Sequence, residues 1–173
     1  MTVAPVVKLV DFGFSKSKLM HSAAHSLVGT AMYIAPEAYL ANYAMGRGAD
    51  EDETKYDSFK ADTWSLGVVL LTFFRWSFPF QVANTGDDAK YAEDLMKMGQ
   101  ELAAKGVLHT LVLRQLDEAN TSTAAHLFLL RCFTLNAEDR PTPATLLNDP
   151  WIKAGEPYPQ ARAGFALHFR FRR

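Results

Sequence analysis

The sequence has few of the features that mark secreted, metal-binding or membrane proteins. It contains a single cysteine, Cys132, so no intramolecular disulfide can form, and a reducing intracellular compartment is expected. Cysteine and histidine nowhere recur at zinc-binding spacing. The longest apolar stretch, residues 64–74, is interrupted by Ser65 and Thr72 and is too short to span a bilayer. The N-terminus lacks the basic start and apolar run of a secretory signal.

An excess of charge of either sign is also absent. Lys and Arg number 18 against 19 Asp and Glu, so no global field would concentrate nucleic acid or an anionic membrane. Hydrophobic residues make up 49% of the 173 residues and charged residues 21%, which argues against disorder and for one domain with a real core. We therefore expect a cytoplasmic protein, with the nucleus as the alternative, and neither membrane nor nucleic-acid partners.

Hydrophobic periodicity predicts a mainly α-helical chain. Residues 6–10 are β-branched and apolar and predict a short strand that ends at a turn. Polar loops are expected over residues 15–26 and 42–58. Helices are predicted after Pro36, over residues 61–74, 89–105 and about 123–133, and from Thr142, with Thr142 as N-cap and Leu146 and Leu147 facing inward.

The C-terminal residues 154–173 have a different character. Apolar side chains at positions 165, 167, 169 and 171 alternate with mostly basic or small residues, which favours an extended segment with one apolar face. Such a tail can fold back on the domain or stay disordered. Its arginines interleaved with aromatic residues are also compatible with single-stranded nucleic acid, a weaker interpretation.

Short motifs follow one another in a characteristic order along the chain. They are Asp11-Phe12-Gly13, Gly-Thr-Ala-Met-Tyr-Ile-Ala-Pro-Glu at 29–37, Lys-Ala-Asp-Thr-Trp-Ser-Leu-Gly-Val at 60–68, Arg140-Pro141-Thr142 and Asp-Pro-Trp-Ile at 149–152. This series resembles the C-terminal lobe of a eukaryotic protein Ser/Thr kinase. The sequences of its first two motifs most resemble those of calmodulin-dependent and Snf-related kinases. The resemblance implies an incomplete, mainly α kinase-like lobe with a short N-terminal strand over residues 1–153, followed by the tail.

The resemblance assigns ATP and Mg²⁺ contacts to the first motif. Asp11 would be a magnesium ligand that bridges ATP phosphates, Phe12 would pack beneath the site, and Gly13 would permit the backbone turn. Judged on its own residues, Asp11 is better explained as a turn-forming aspartate before Phe-Gly. The order of the other motifs favours the magnesium interpretation.

Residues between the first two motifs resemble an activation segment. Ser26 stands where many members of the family are phosphorylated by an upstream kinase, and a solvated loop serine is the alternative. Ser15, Ser17 and Ser22 are weaker candidates. Thr30 resembles the threonine that contacts the Ser/Thr acceptor of a protein substrate, although Ala31 replaces the proline that usually follows it.

Four further residues carry structural roles by the same resemblance. Glu37 and Arg140 would form a buried ion pair that fixes the activation segment to the helical lobe. Asp62 would hydrogen-bond the backbone of the catalytic loop, and Trp64 would pack beneath the segment. Asp149 stands where the family usually has histidine.

Three motifs of an active kinase are missing from these 173 residues. There is no Gly-x-Gly-x-x-Gly loop, no Val-Ala-Ile-Lys lysine and no His-Arg-Asp-x-x-x-x-Asn catalytic loop, so we expect no catalytic residue here and an inactive isolated chain. Because the missing segments would normally cover part of the helix over residues 64–74 and the strand over residues 6–10, we expect exposed apolar surface there. The alternative function is a non-catalytic binding or scaffold module, with residues 89–105 and the tail as its contact surface.

Overall fold

The computed structural model describes residues 8–13, 15, 31–50, 54–75, 97, 112–114, 116 and 121–154. A 3-10 turn, Ala31–Tyr33, is followed by helices α1 (Pro36–Met45), α2 (Ser58–Arg75), α3 (Thr123–Cys132), α4 (Pro143–Leu146) and α5 (Pro150–Ala154). None of the helices in these ranges is long and apolar enough to cross a membrane. The described architecture is therefore helical, as the sequence predicts.

The predicted N-terminal strand is not present among the described residues. Residues 8–10 are irregular, and Val6 and Val7 lie outside the described ranges. Leu9 and Val10 are 84% and 79% exposed. A strand needs a partner for its backbone hydrogen bonds, and these ranges offer none. No other β-strand occurs in the described part of the chain.

Helix α2 is the element against which the others pack. Asp57 begins it, because its Oδ1 accepts hydrogen bonds from the backbone N–H of Phe59 at 2.9 Å and of Lys60 at 3.4 Å. The helix extends from Ser58 to Arg75, a few residues beyond the predicted 61–74. The 3-10 turn and helices α1, α3 and α4 all contact it.

One face of α2 supplies the centre of the hydrophobic core. Trp64, Val68 and Leu71 are buried there, and the Trp64 ring meets the Phe133 ring edge to face at 5.2 Å. Ala61 of α2 adds to this centre, and the core is completed by apolar side chains from elsewhere in the described ranges: Ala35, Ala38, Val112, Leu116, Phe128, Leu129, Cys132, Phe133 and Leu146. Burial of this set supplies the main driving force for docking the helices onto α2.

The predicted loop over residues 42–58 is wrong at its start. Residues 42–45 continue helix α1, and Asn42 donates a side-chain hydrogen bond to the Ala38 carbonyl oxygen at 2.6 Å. Gly48 then turns the chain with a φ of 86°, a conformation that glycine adopts readily. Thr54 is buried, so the segment returns to the protein before α2 begins.

Local capping signals in the C-terminal part are confirmed. The Thr142 hydroxyl accepts from the Thr145 backbone N–H at 3.3 Å, and Pro143 opens α4. Leu146 is buried as predicted, but Leu147 is 69% exposed. Since α4 has only one turn, the residue after Leu146 lies at its C-cap and points away from the core.

Gly67 lets α2 and α3 approach closely. A Cβ atom added at Gly67 would lie 2.7 Å from the Cβ of Cys132 and 3.3 Å from the Phe133 ring. Neither neighbour is the flexible end of a side chain, so the two helices would have to separate. The glycine is therefore required by packing, because the helix itself would favour alanine.

We expect Gly67→Ala to lower the free energy of unfolding by about 1 to 3 kcal/mol, the usual cost of overpacking a core. Urea denaturation followed by tryptophan fluorescence measures this. Gly46→Ala is the matched control, because Gly46 is exposed and has an ordinary helical φ of −61°. Equal unfolding midpoints for the two variants would contradict the packing role of Gly67.

Candidate functional site

The most elaborate polar arrangement in the described residues surrounds Arg140. This side chain is 1% exposed, yet each of its five N–H groups has an acceptor. Nη1 and Nη2 lie 2.5 and 3.0 Å from the two carboxylate oxygens of Glu37. The remaining donors reach the backbone carbonyl oxygens of Lys60 at 3.0 Å, Thr134 at 2.8 Å and Leu135 at 3.3 Å.

This arrangement satisfies the requirements of a buried charge. A buried guanidinium is tolerated only when its charge is paired and its donors are used. The bidentate geometry with Glu37 meets both conditions, and the Arg140 guanidinium also lies 5.1 Å from the centre of the Trp64 ring. Glu37 stands in the first turn of α1, where the helix dipole favours a carboxylate.

A second polar contact holds the same region to α2. The Ser65 hydroxyl, on α2, lies 2.7 Å from the Tyr33 carbonyl oxygen, to which it can donate. Ala35 and Ala38 are buried immediately after Tyr33. The segment from the 3-10 turn into α1 is therefore fixed at three points: Ser65 holds its start, the small apolar side chains fill the contact, and Arg140 holds Glu37.

Asp11, Phe12 and Gly13 form a separate, exposed turn. Asp11 has a φ of 65°, and its Oδ1 accepts a long hydrogen bond of 3.4 Å from the Gly13 N–H. Ser15 donates from its hydroxyl to the Phe12 carbonyl oxygen at 2.7 Å. Phe12 is 66% exposed, so the packing beneath a site that the resemblance implies for it is not seen here.

The described residues do not assemble a magnesium site. Asp11 offers the hard oxygen that Mg²⁺ prefers, but Mg²⁺ requires near-octahedral coordination and a single exposed carboxylate supplies little of it. Among the described residues, no three His, Cys, Asp or Glu side chains are placed to share a metal ion. Asp11 can therefore contribute one ligand to a site, and no chemical step can be derived through a metal here.

Asp62 is an acidic residue near the start of α2. The residue is exposed, and no hydrogen bond or ion pair from the described part of the chain reaches its carboxylate. Partial burial nevertheless raises the pKa of the Asp62 carboxyl. Burial also raises the pKa of the Tyr56 hydroxyl, with a further contribution from the carboxylates of Asp62 and Glu37.

Two of the predicted site residues and most of the alternative contact surface lie outside the described residues. Ser26 and Thr30 are among them, whereas Ala31 begins the 3-10 turn. Of residues 89–105 only Lys97 is described, in helical conformation, and the tail after Ala154 is not described. The structure thus brings Glu37, Arg140 and Trp64 together, whereas no hydrogen bond or ion pair among the described residues joins Asp11 or Asp62 to them.

Sequence reasoning missed an ion pair at the C-terminal end. Asp149 is buried and contacts Arg131 of α3 in a close ion pair, while its Oδ1 accepts from the Trp151 N–H at 2.9 Å. Asp149 therefore caps α5 and ties it to α3. The replacement of the expected histidine by aspartate was the available signal, since aspartate is a good N-cap before Pro150.

Cys132 was also not identified as a distinctive group. Its side chain is fully buried between α2 and α3. Burial, with a smaller contribution from Asp149, raises the pKa of the Cys132 thiol from its ordinary value of 9.0 to about 12, against an opposing effect of Arg140. The thiol is thus a core residue and not a nucleophile.

Comparison with known proteins identifies the family. A family model described as protein kinase domain matches residues 1–152. Serine/threonine-protein kinase SRK2B of Arabidopsis thaliana is 31% identical over 96% of this chain, and SAPK7 of Oryza sativa subsp. japonica is 29% identical over the same share. SAPK9 of the same rice is 31% identical over 90% of it. These relatives lie on the Snf-related side of the resemblance.

The match covers only part of each relative. The chain spans 40% of the length of SRK2B and SAPK7 and 37% of SAPK9. No solved structure matched the chain significantly.

We expect Arg140→Met to destabilise the protein by about 3 to 5 kcal/mol, because it leaves the Glu37 carboxylate partly buried without its partner. Adding Glu37→Gln to Arg140→Met should cost less than the sum of the two single changes. A double-mutant cycle in urea measures the coupling. Glu138→Gln is the control, since Glu138 is 91% exposed and lies 3.9 Å from Lys60, so its effect should be near zero. Additive energies for Glu37 and Arg140 would contradict the coupling.

We expect Cys132 to resist alkylation in the native protein at pH 8 and to react rapidly in urea, because burial keeps its thiol protonated. Since the native pKa of about 12 exceeds the unfolded value of 9.0, the unfolded chain loses its proton first, and stability falls as the pH rises between them. Mass spectrometry of iodoacetamide-treated samples measures the rate. Equal rates in buffer and in urea would show that the thiol is accessible.

Proposed function

This chain belongs to the protein kinase domain family, and from that membership we propose that it forms the activation segment and C-terminal helical lobe of a Ser/Thr protein kinase. In the complete domain the reaction would be transfer of the γ-phosphoryl group of ATP to a Ser or Thr hydroxyl of a protein substrate. The printed names of the matching relatives, all serine/threonine-protein kinases, support this class of acceptor.

The single observation that best supports the proposal is the buried junction between Glu37 and Arg140. The two residues are 103 positions apart, and Arg140 directs all five of its donors to Glu37 and to backbone carbonyl oxygens around it. Such a junction fixes the end of the segment that begins after Asp11 to the helical core. Fixed geometry is what phosphoryl transfer asks of a protein, because the barrier is lowered mainly by positioning and by neutralising charge.

The roles of the remaining residues follow within this proposal. Asp11 would donate one oxygen ligand to Mg²⁺ on the ATP phosphates, and Thr30 would contact the acceptor residue of the protein substrate. Phosphorylation of Ser26 by an upstream kinase would add about two negative charges to the segment and so change its order. The residues that cradle ATP and orient the acceptor hydroxyl do not occur in these 173 residues, so this chain alone would supply support without catalysis.

We expect the purified 173-residue protein to transfer no phosphate from ATP in the presence of Mg²⁺, because most of the positioning groups are lacking. Incorporation of radiolabelled phosphate into a generic basic protein measures this, with Asp11→Ala as the matched control. Transfer by the unaltered chain above the level of Asp11→Ala would contradict its inactivity.

A chimera tests the proposed family activity with the same residues. The part of Arabidopsis SRK2B that precedes its match to this chain is joined to Lys8 of this chain. We expect phosphoryl transfer that disappears in Asp11→Ala. A folded chimera that transfers no phosphate, or that is unaffected by Asp11→Ala, would contradict the proposed role of this lobe.

A further inference from the structure

Lys60 is placed where the local sequence does not favour it. It lies in the first turn of α2, where the positive end of the helix dipole repels a cation. Its side chain is only 17% exposed, although lysine is among the residues least often buried. A cation kept in an unfavourable position indicates a tertiary contact that offsets the cost.

The ammonium of Lys60 makes that contact with a backbone oxygen. Its Nζ donates to the Glu138 carbonyl oxygen at 2.7 Å, across 78 positions of the chain. The Glu138 carboxylate lies farther away, 3.9 Å from Nζ, and its side chain is 91% exposed, so this ion pair contributes little. The hydrogen bond to the carbonyl oxygen is therefore the interaction that places the ammonium, and a charged donor makes such a bond stronger than a neutral donor does.

The turn that carries Glu138 is closed by its own hydrogen bonds. The Asn136 carbonyl oxygen accepts from the backbone N–H of Asp139 at 3.1 Å and of Arg140 at 3.2 Å. The Asn136 side chain completes the turn, because its Oδ1 accepts from the Glu138 N–H at 3.2 Å and its Nδ2 donates to Asp139 Oδ2 at 2.7 Å. Residues 136–140 therefore form one unit, and a contact at Glu138 also fixes the backbone of Arg140 two positions later.

Lys60 is joined to this turn a second time, through its own backbone. The Arg140 guanidinium donates from Nη1 to the Lys60 carbonyl oxygen at 3.0 Å. The two contacts run in opposite directions between the same pair of segments, one from α2 to the turn and one from the turn to α2. Contacts at two different points restrict both the position and the rotation of the turn, and Nη1 and Nη2 of Arg140 reach the Glu37 carboxylate from there.

We propose that Lys60 is a positioning residue for the Glu37–Arg140 pair. Its ammonium holds the Glu138 carbonyl oxygen and so directs the Arg140 guanidinium toward α1. No hydrogen bond or ion pair within the described ranges joins the Lys60 side chain to α1 itself, so Lys60 acts on residues 31–45 through Arg140. This inference does not depend on the proposed kinase function, and its test measures no phosphoryl transfer.

Hydrogen–deuterium exchange of the full 173-residue chain tests the proposal with Lys60→Met. Methionine keeps an unbranched apolar side chain, and the backbone carbonyl oxygen at position 60 remains as an acceptor for Arg140, so only the ammonium is removed. We expect the amides of residues 36–45 in α1 to exchange roughly tenfold faster, because the hydrogen bond of a charged group contributes more than a neutral one. Exchange of the amides of α3 should stay unchanged.

Two matched variants separate the ammonium contact from other effects of removing a charge. Lys153→Met removes an exposed lysine of α5, and Glu138→Gln removes the distant carboxylate while it keeps the carbonyl oxygen. Neither variant should change the exchange of residues 36–45. Protection of Cys132 from alkylation verifies that each variant is folded; if Lys60→Met abolishes this protection, Lys60→Leu replaces it.

A double variant tests the route through Arg140. In Glu37→Gln the pair is already weakened, so adding Lys60→Met should increase the exchange of residues 36–45 by much less than it does in the unaltered chain. An equal increase in both backgrounds would overturn the proposal. Faster exchange confined to residues 134–140 would also overturn it, because Lys60 would then hold only the turn that it contacts, and so would exchange that matches the Lys153→Met control.

Discussion

The described structure depends on one buried guanidinium. Arg140 lies in the turn between α3 and α4, yet it contacts α1 through Glu37, α2 through the Lys60 carbonyl and the Trp64 ring, and its own loop through Thr134 and Leu135. A charge at this depth is stable only while every donor is used, so these segments hold one another in place. The core around Trp64 supplies driving force, but the arginine determines which segments meet.

This constraint accounts for which of the described segments are docked onto the helical core. Residues 31–45 are docked onto α2 by Ser65, Ala35 and Glu37, whereas no hydrogen bond or ion pair within the described ranges links them to Asp11 or Asp62. The described residues accordingly provide a fixed platform on the side of α2 that bears Trp64, while Leu66, Val69 and Phe73 on its other side are partly exposed. A platform of this kind is suited to positioning a second component, which is the role we propose for it within a kinase domain.

Local chemistry made some of the structure predictable and left other parts open. The cap at Thr142 and the body of α2 over residues 61–74 follow from residue type and apolar pattern, and both were predicted. Three predictions were wrong among the described residues: the burial of Leu147, the strand over residues 6–10, of which 8–10 are described, and the loop that begins at residue 42. Each of these features depends on tertiary partners, which a linear pattern does not contain. The pairing of Glu37 with Arg140 was predicted from the family resemblance that the order of the motifs carries, because a pair 103 residues apart has no local signature. The Arg131–Asp149 pair had only a weak one.

Hydrogen–deuterium exchange measures whether the Glu37–Arg140 pair holds residues 31–45 to the helical core. In Glu37→Gln one carboxylate contact of Arg140 is weakened while its carbonyl acceptors remain. If the junction holds the segment to the core, amides of residues 31–45 will lose protection in this variant, while those of α2 and α3 stay protected. Unchanged protection of residues 31–45, or an equal loss throughout α2 and α3, would contradict the anchoring role assigned to the Glu37–Arg140 pair.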